Sequence, residues 1–135
     1  YPGVLNLMPK LSMEFASLSI VTNKPTVPTL RMLETSHIRS CFSSVIGIDY
    51  VSTISSSHPF NDKSQAIEYL ISLMNLPRHE CIYIGDTVAD QIAALKCGIK
   101  FVASLYGFYQ WPSNNLPKSC IFDFSSLFSA VKLID

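Results

Sequence analysis

Cys81-Ile82-Tyr83-Ile84-Gly85-Asp86-Thr87-Val88-Ala89-Asp90 is the stretch whose reading decides the fold. Its first four residues form the best strand in the chain, Gly85-Asp86 stops it, and Val88 to Cys97 continues at helical spacing with Gly98 in the C-terminal capping position. Ile99 to Ala103 returns to strand, giving a strand, helix, strand unit of the kind that builds parallel sheets. Upstream, Leu18-Ser19-Ile20-Val21-Thr22 reads as a buried strand ending in the turn Asn23-Lys24-Pro25. A helix from Pro28 to Ser36 and a weaker strand from Phe42 to Ile46 follow, and Ser52 to Asn61 has the composition of a loop. From Lys63 the residues Ile67, Leu70, Ile71 and Met74 recur at helical spacing, and Pro77 marks where that helix has ended. Ser119 to Phe122 predicts a further strand and Ser125 to Leu133 a closing helix. Leu5 to Phe15 predicts an opening helix in which Pro9 fits only near the first turn. The expected fold is α/β, a mainly parallel sheet flanked by helices, in one domain over residues 1–135.

Composition narrows the function classes. Hydrophobic residues make up 48% and charged residues 15%, and ten Lys and Arg balance ten Asp and Glu. The chain has neither the polarity of a disordered segment nor the basic excess of a nucleic-acid binder. No apolar run approaches the roughly 18 to 20 residues needed to span a bilayer, so no membrane role is expected. There is no basic segment leading into an apolar one, and Cys41, Cys81, Cys97 and Cys120 show no ligand spacing. Reduced thiols in a cytoplasmic protein are expected. Tyr1 opens the chain inside what reads as a structural element, so residues are expected upstream.

In open parallel sheets, ligands bind beyond the carboxyl ends of the strands. Thr22 and Asn23 end one strand, Asp86 and Asp90 follow the strongest one, and Lys63 opens a helix between them. A hydroxyl, a cation and two carboxylates on one rim are the parts needed to hold a phosphoryl group beside Mg²⁺. Each also has a plainer reading. Thr22 and Asn23 suit a strand terminus and turn, and Asp86 and Asp90 suit a helix N-cap and a first-turn carboxylate. Lys63 suits a solvated charge, although a cation there opposes the helix dipole and only Asp62 beside it offsets the cost. His37, His58 and His79 share no strand end, and the aromatic run Leu105 to Trp111 reads as an apolar flap over the core.

Taken in order, Ile20-Val21-Thr22-Asn23-Lys24, Lys63-Ser64 and Tyr83-Ile84-Gly85-Asp86-Thr87-Val88-Ala89-Asp90 resemble the haloacid dehalogenase (HAD) superfamily of phosphohydrolases, within it the phosphoglycolate phosphatase-like group. Tyr1-Pro2-Gly3-Val4 and Ala93-Ala94-Leu95-Lys96-Cys97-Gly98 are similar to that group as well, so the resemblance runs through Phe108. A response regulator also combines Asp, Thr and Lys on a parallel sheet, but its Thr and Lys follow the acidic residues, whereas here they precede Asp86. The resemblance implies a Rossmann-like core acting on a small phosphorylated metabolite with Mg²⁺. It implies that Thr22 hydrogen-bonds the transferring phosphoryl group with Asn23 in the same loop, that Lys63 steadies negative charge, and that Asp86 and Asp90 serve the metal.

The departure from the family is equally specific. Its first motif, DxDxT, supplies the aspartate nucleophile and general acid/base, and no such motif follows Asp49, Asp62 or Asp123. In the family that motif lies on the central strand, upstream of the Thr22 strand, with a substrate-selecting cap after it. The resemblance therefore implies a core without its N-terminal central strand and cap, in which the flanking strands pair directly, a partner chain or second copy donates a strand, or an upstream peptide stays associated. Two rivals stand beside an enzyme core. One is a non-catalytic HAD-fold remnant or interaction module; the other is a nucleotide-binding Rossmann domain, disfavoured because no strand is followed by a glycine-rich phosphate loop.

Overall fold

A computed structural model describes residues 1–50, 60–127 and 129. Its elements in order are α1 (Val4–Glu14), β1 (Ser19–Val21), α2 (Thr26–Thr35), β2 (Ser44–Ile46), α3 (Lys63–Met74), β3 (Ile82–Gly85), α4 (Val88–Lys96), β4 (Lys100–Ser104) and β5 (Cys120–Ile121). By internal packing the chain divides into two compact units, residues 4–70 and residues 1–3 with 71–135. The loop expected over 52–61 falls mostly outside the described residues, as does most of the closing helix expected from Ser125.

In the first unit β1 and β2 pair in parallel, with Ser19 opposite Ser44 and Val21 opposite Ile46. Helix α2 connects them and buries Thr29 and Leu33. Its far end closes in left-handed backbone at His37, φ +57°, with Ile38 N–H on Leu33 O and His37 N–H on Glu34 O. That is a helix-terminating pattern glycine usually supplies, occupied here by a side chain at some cost. Helix α1 holds Pro9 in its interior, against the expectation that Pro9 would lie near a first turn. The ring removes one N–H from the helical ladder, and the burial of Met8 and Leu11 on either side compensates.

In the second unit β3, β4 and β5 form a parallel sheet in that order, with Ile82 opposite Lys100, Gly85 opposite Ala103 and Ser104 opposite Ile121. The central strand carries the core: Val102 and Ala103 are fully buried. Helix α4 packs on β3 and β4 through Ala93, Ala94 and Cys97, small residues that let a helix lie close to a sheet. It ends at Gly98, φ +63°, with Gly98 N–H on Leu95 O and Ile99 N–H on Ala94 O.

The strands differ from expectation in burial. Ile20 and Val21 of β1 are only half-buried, and Ile84 of β3 is exposed, because each strand has a single partner among the described residues: β2 for β1, β4 for β3. No helix of the described residues is long and apolar enough to cross a membrane, and the four cysteines are free thiols.

Candidate active site

The corner after β3 is built by the residues that follow it. Thr87, in extended backbone, is the N-cap of α4: its Oγ1 accepts Asp90 N–H at 3.2 Å, while Asp90 Oδ2 accepts Thr87 N–H at 3.1 Å and the Thr87 hydroxyl at 2.7 Å. This reciprocal arrangement satisfies donors that a helix start otherwise leaves orphaned. Tyr83 reaches over from β3 and donates its hydroxyl to Asp90 Oδ1 at 3.2 Å. Burial, then the nearby Asp90 carboxylate, and more weakly Asp86, push the Tyr83 hydroxyl well above its ordinary pKa, so it remains a donor at neutral pH. Asp90 is 2% exposed with protein donors on both oxygens. A Cβ on Gly85 would lie 2.5 Å from Asp90 Cβ, so only glycine lets the strand end turn over this carboxylate.

Asp86 has a different environment. It is half-buried, it is not the cap, and its Oδ2 accepts the main-chain N–H of Phe108 at 3.1 Å. Gly107 lies so close to Asp86 that an added Cβ would collide with its side chain. The loop after β4 is thus pressed onto Asp86. Among the described residues no three His, Cys, Asp or Glu side chains come together as a metal cage. What the corner offers a hard cation is one carboxylate at a strand end. That suits Mg²⁺, which keeps several waters and often takes only one or two protein carboxylates, better than it suits a closed protein cage.

The other site residues lie in the first unit. Thr22 extends the β1 ladder through its N–H to Ile46 O at 2.9 Å, and its Oγ1 accepts Lys24 N–H at 3.1 Å, closing the turn that carries exposed Asn23. Lys63 is the first residue of α3 and half-buried; Asp62 caps the helix start by accepting Gln65 N–H at 3.1 Å and the Ser64 hydroxyl at 2.5 Å. One feature escapes a linear reading. Asp49 Oδ1 accepts both the N–H and the hydroxyl of Thr26, each at 2.7 Å, which caps α2 from 23 residues away and holds the Asp49 carboxyl below its ordinary range. No local spacing announces that pairing, whereas the Thr87-x-x-Asp90 cap is a pattern legible in the chain.

A haloacid dehalogenase-like hydrolase profile matches residues 1–104. Phosphoglycolate phosphatase of Rhodobacter capsulatus is 30% identical over 128 residues, covering 94% of this chain and 55% of the relative. A predicted phosphoglycolate phosphatase from Haemophilus somnus superposes with a TM-score of 0.78 at 26% identity, over 96% of this chain and 56% of that one. A haloacid dehalogenase-like hydrolase from Streptococcus pneumoniae shares the fold with a TM-score of 0.78 at 24% identity, over 96% and 58%. This chain spans about half the length of the curated relatives it matches. With parallel strands whose carboxyl ends carry Thr22 and Asp86, and with the profile covering most of its length, the chain belongs to the haloacid dehalogenase-like hydrolases.

Proposed function

We propose that this chain is the phosphate-handling core of a Mg²⁺-dependent phosphatase acting on a small phosphomonoester, of the phosphoglycolate phosphatase kind, and that it works in the cytoplasm. In this reading the Thr22 hydroxyl donates to a phosphoryl oxygen, Asn23 lines the same turn, and the Lys63 ammonium offsets phosphate charge. Asp86 would hold Mg²⁺, which when bound supplies charge neutralisation at the phosphoryl oxygens. Asp90 supports Asp86 from beneath by fixing the helix start rather than by facing the ion. The observation that carries the reading is Asp86 itself, a carboxylate at a strand end that no cap requires, in a chain whose profile match names a hydrolase.

The family's covalent route needs an aspartate nucleophile, and DxDxT does not occur in these residues. We assign that group to residues outside these 135, either an upstream segment or a strand donated by a different partner chain, and we expect the 135-residue chain by itself to be inactive. The single-partnered, half-exposed strands β1 and β3 favour this over a self-sufficient enzyme. Titration of the chain with inorganic phosphate, with and without Mg²⁺, tests the reading. Weak binding strengthened by Mg²⁺ and reduced at least severalfold by Thr22→Ala, Lys63→Ala and Asp86→Asn is expected. Binding indifferent to all three substitutions would overturn it in favour of a module that keeps the fold without the chemistry.

A further inference from the structure

The turn that carries Thr22 is held from outside itself. Asn23, Lys24 and Pro25 are exposed, so polar bonds rather than burial fix their position. Pro25 stands where a helix usually places its capping side chain and makes no such bond to α2. The end of β2 supplies what is missing. Lys24 is gripped on both sides: its N–H donates to Thr22 Oγ1 at 3.1 Å, and its carbonyl accepts Ile48 N–H at 3.3 Å. Asp49 Oδ1 accepts the N–H and the hydroxyl of Thr26, and Thr26 Oγ1 in turn accepts Gly47 N–H at 3.2 Å. With Thr22 N–H on Ile46 O, each residue from Ile46 to Asp49 holds some part of residues 22–26. Gly47 is buried at the centre of this clamp, where an added Cβ would collide with Thr26 N and Lys24 O.

We infer that Asp49 is a positioning residue for phosphate binding: by tying Thr26 to the end of β2 it fixes the 22–26 turn, and through Lys24 the placement of the Thr22 hydroxyl. The inference rests on the proposed role of Thr22 and adds a residue outside the turn that governs it. Thr22 Oγ1 receives the Lys24 N–H as an acceptor, so its own proton remains to be donated to an anion. A shift of the turn breaks that bond and returns the hydroxyl to free rotation. Helix α2 needs only a cap, which a side chain at position 25 would supply locally. Capping from Asp49 adds what a local cap cannot, a fixed spacing between the turn and β2. The same bond engages the Thr26 N–H, so that donor at the helix start is not offered to a phosphate.

Isothermal titration of the full 135-residue chain with inorganic phosphate and Mg²⁺, run as a double-mutant cycle of Asp49→Ala and Thr22→Ala, tests the coupling. Asp49→Ala is expected to weaken phosphate roughly fivefold in the unsubstituted chain and less than about twofold where Thr22 is already Ala, because its effect passes through that hydroxyl. Asp49→Asn, whose amide oxygen can still accept from Thr26, should recover most of the loss. A carboxylate that served α2 alone would lower the unfolding midpoint and leave the affinity of the folded chain unchanged; that result, with Thr22→Ala still weakening binding, overturns the inference and spares the proposed function. Equal losses from Asp49→Ala in both backgrounds overturn it as well, since the carboxylate would then act without Thr22. Binding indifferent to Thr22→Ala removes the proposed role of Thr22 and this inference with it. Thr26→Ala deletes the hydroxyl bond to Asp49 and keeps the N–H bond, so it serves where Asp49→Ala does not fold: a roughly twofold loss that needs Thr22 is expected, and no loss overturns the inference.

Discussion

Replacing Asp90 with Ala separates the carboxylate that caps α4 from Asp86, which takes no part in the cap. Asp90 is 2% exposed and accepts three hydrogen bonds, from Thr87 N–H, the Thr87 hydroxyl and Tyr83. A hydrogen bond to a charged group contributes about 1.5–3 kcal/mol net, and removing a buried acceptor leaves its donors unsatisfied. Two of the three bonds share one oxygen and one helix cap, so they do not add, and the expected loss is about 3–4 kcal/mol. Against a total of roughly 5–15 kcal/mol, that is a large share of the stability of a chain this size. Urea unfolding followed by circular dichroism should show the midpoint falling with little change in slope, and the thermal midpoint dropping by about 10–15 °C. The contrast is Asp86→Asn. Asp86 is half-buried with one main-chain donor, and an Asn oxygen can still accept it, so a loss below about 1 kcal/mol is expected. A cost below about 1 kcal/mol for Asp90→Ala, or equal costs at the two positions, would refute this division of roles.

Three further outcomes follow from the same geometry. With Mg²⁺ and an aryl phosphate, the 135-residue chain should show no turnover above background; metal-dependent hydrolysis abolished by Asp86→Ala would mean that another group serves as nucleophile. His37→Gly should raise stability by about 0.5–1 kcal/mol in equilibrium unfolding, since φ +57° costs a side chain conformational energy; an unchanged or lower stability would contradict that. Asp49, held below its ordinary range by Thr26, stabilises the fold above the usual carboxylate pKa of about 4 and loses that contribution as pH falls through its lower folded value, so Asp49→Asn should flatten the acid limb of a stability-against-pH curve below about pH 4, and an unaltered limb would count against the Thr26 contact.

The elements were legible where one physical signal dominated. Apolar runs stopped by Gly or Asn located β1 and β3, helical spacing from Lys63 to Met74 located α3, and Gly98 closed α4 where its lack of a side chain permits left-handed backbone. Depth of burial was not legible. Ile84 sits in the most strand-like segment of the chain yet is exposed, because burial depends on which strands stand beside it, and that is a property of pairing rather than of local composition. Pro9 misled for a related reason: local propensity argues against an interior proline, but burial of Met8 and Leu11 outweighs one missing hydrogen bond. At the site, the residue types and their order along the chain were readable, whereas the Asp49 to Thr26 bond, the Tyr83 to Asp90 bond and the grip of Phe108 on Asp86 join residues 7 to 23 positions apart and leave no local trace.

The corner after β3 also shows how a structural explanation can point to a functional one. Four of its residues are accounted for by stability: Gly85 clears Asp90, Thr87 caps α4, Asp90 returns the cap, and Tyr83 fills Asp90's remaining oxygen. The sequence allowed Asp86 the same excuse, as the residue before a helix that welcomes a carboxylate at its N-cap. The structure gives that position to Thr87 and so withdraws the excuse. Asp86 is a half-buried carboxylate at a strand end whose Oδ2 accepts the main-chain N–H of Phe108. Gly107, which must be small for the loop to reach Asp86, is a second residue arranged around it without any gain to the core. Where fold stability explains the neighbours and leaves one charged residue over, Asp86 is the position at which the proposed cation site is most directly tested, by Asp86→Asn in the phosphate titration with and without Mg²⁺.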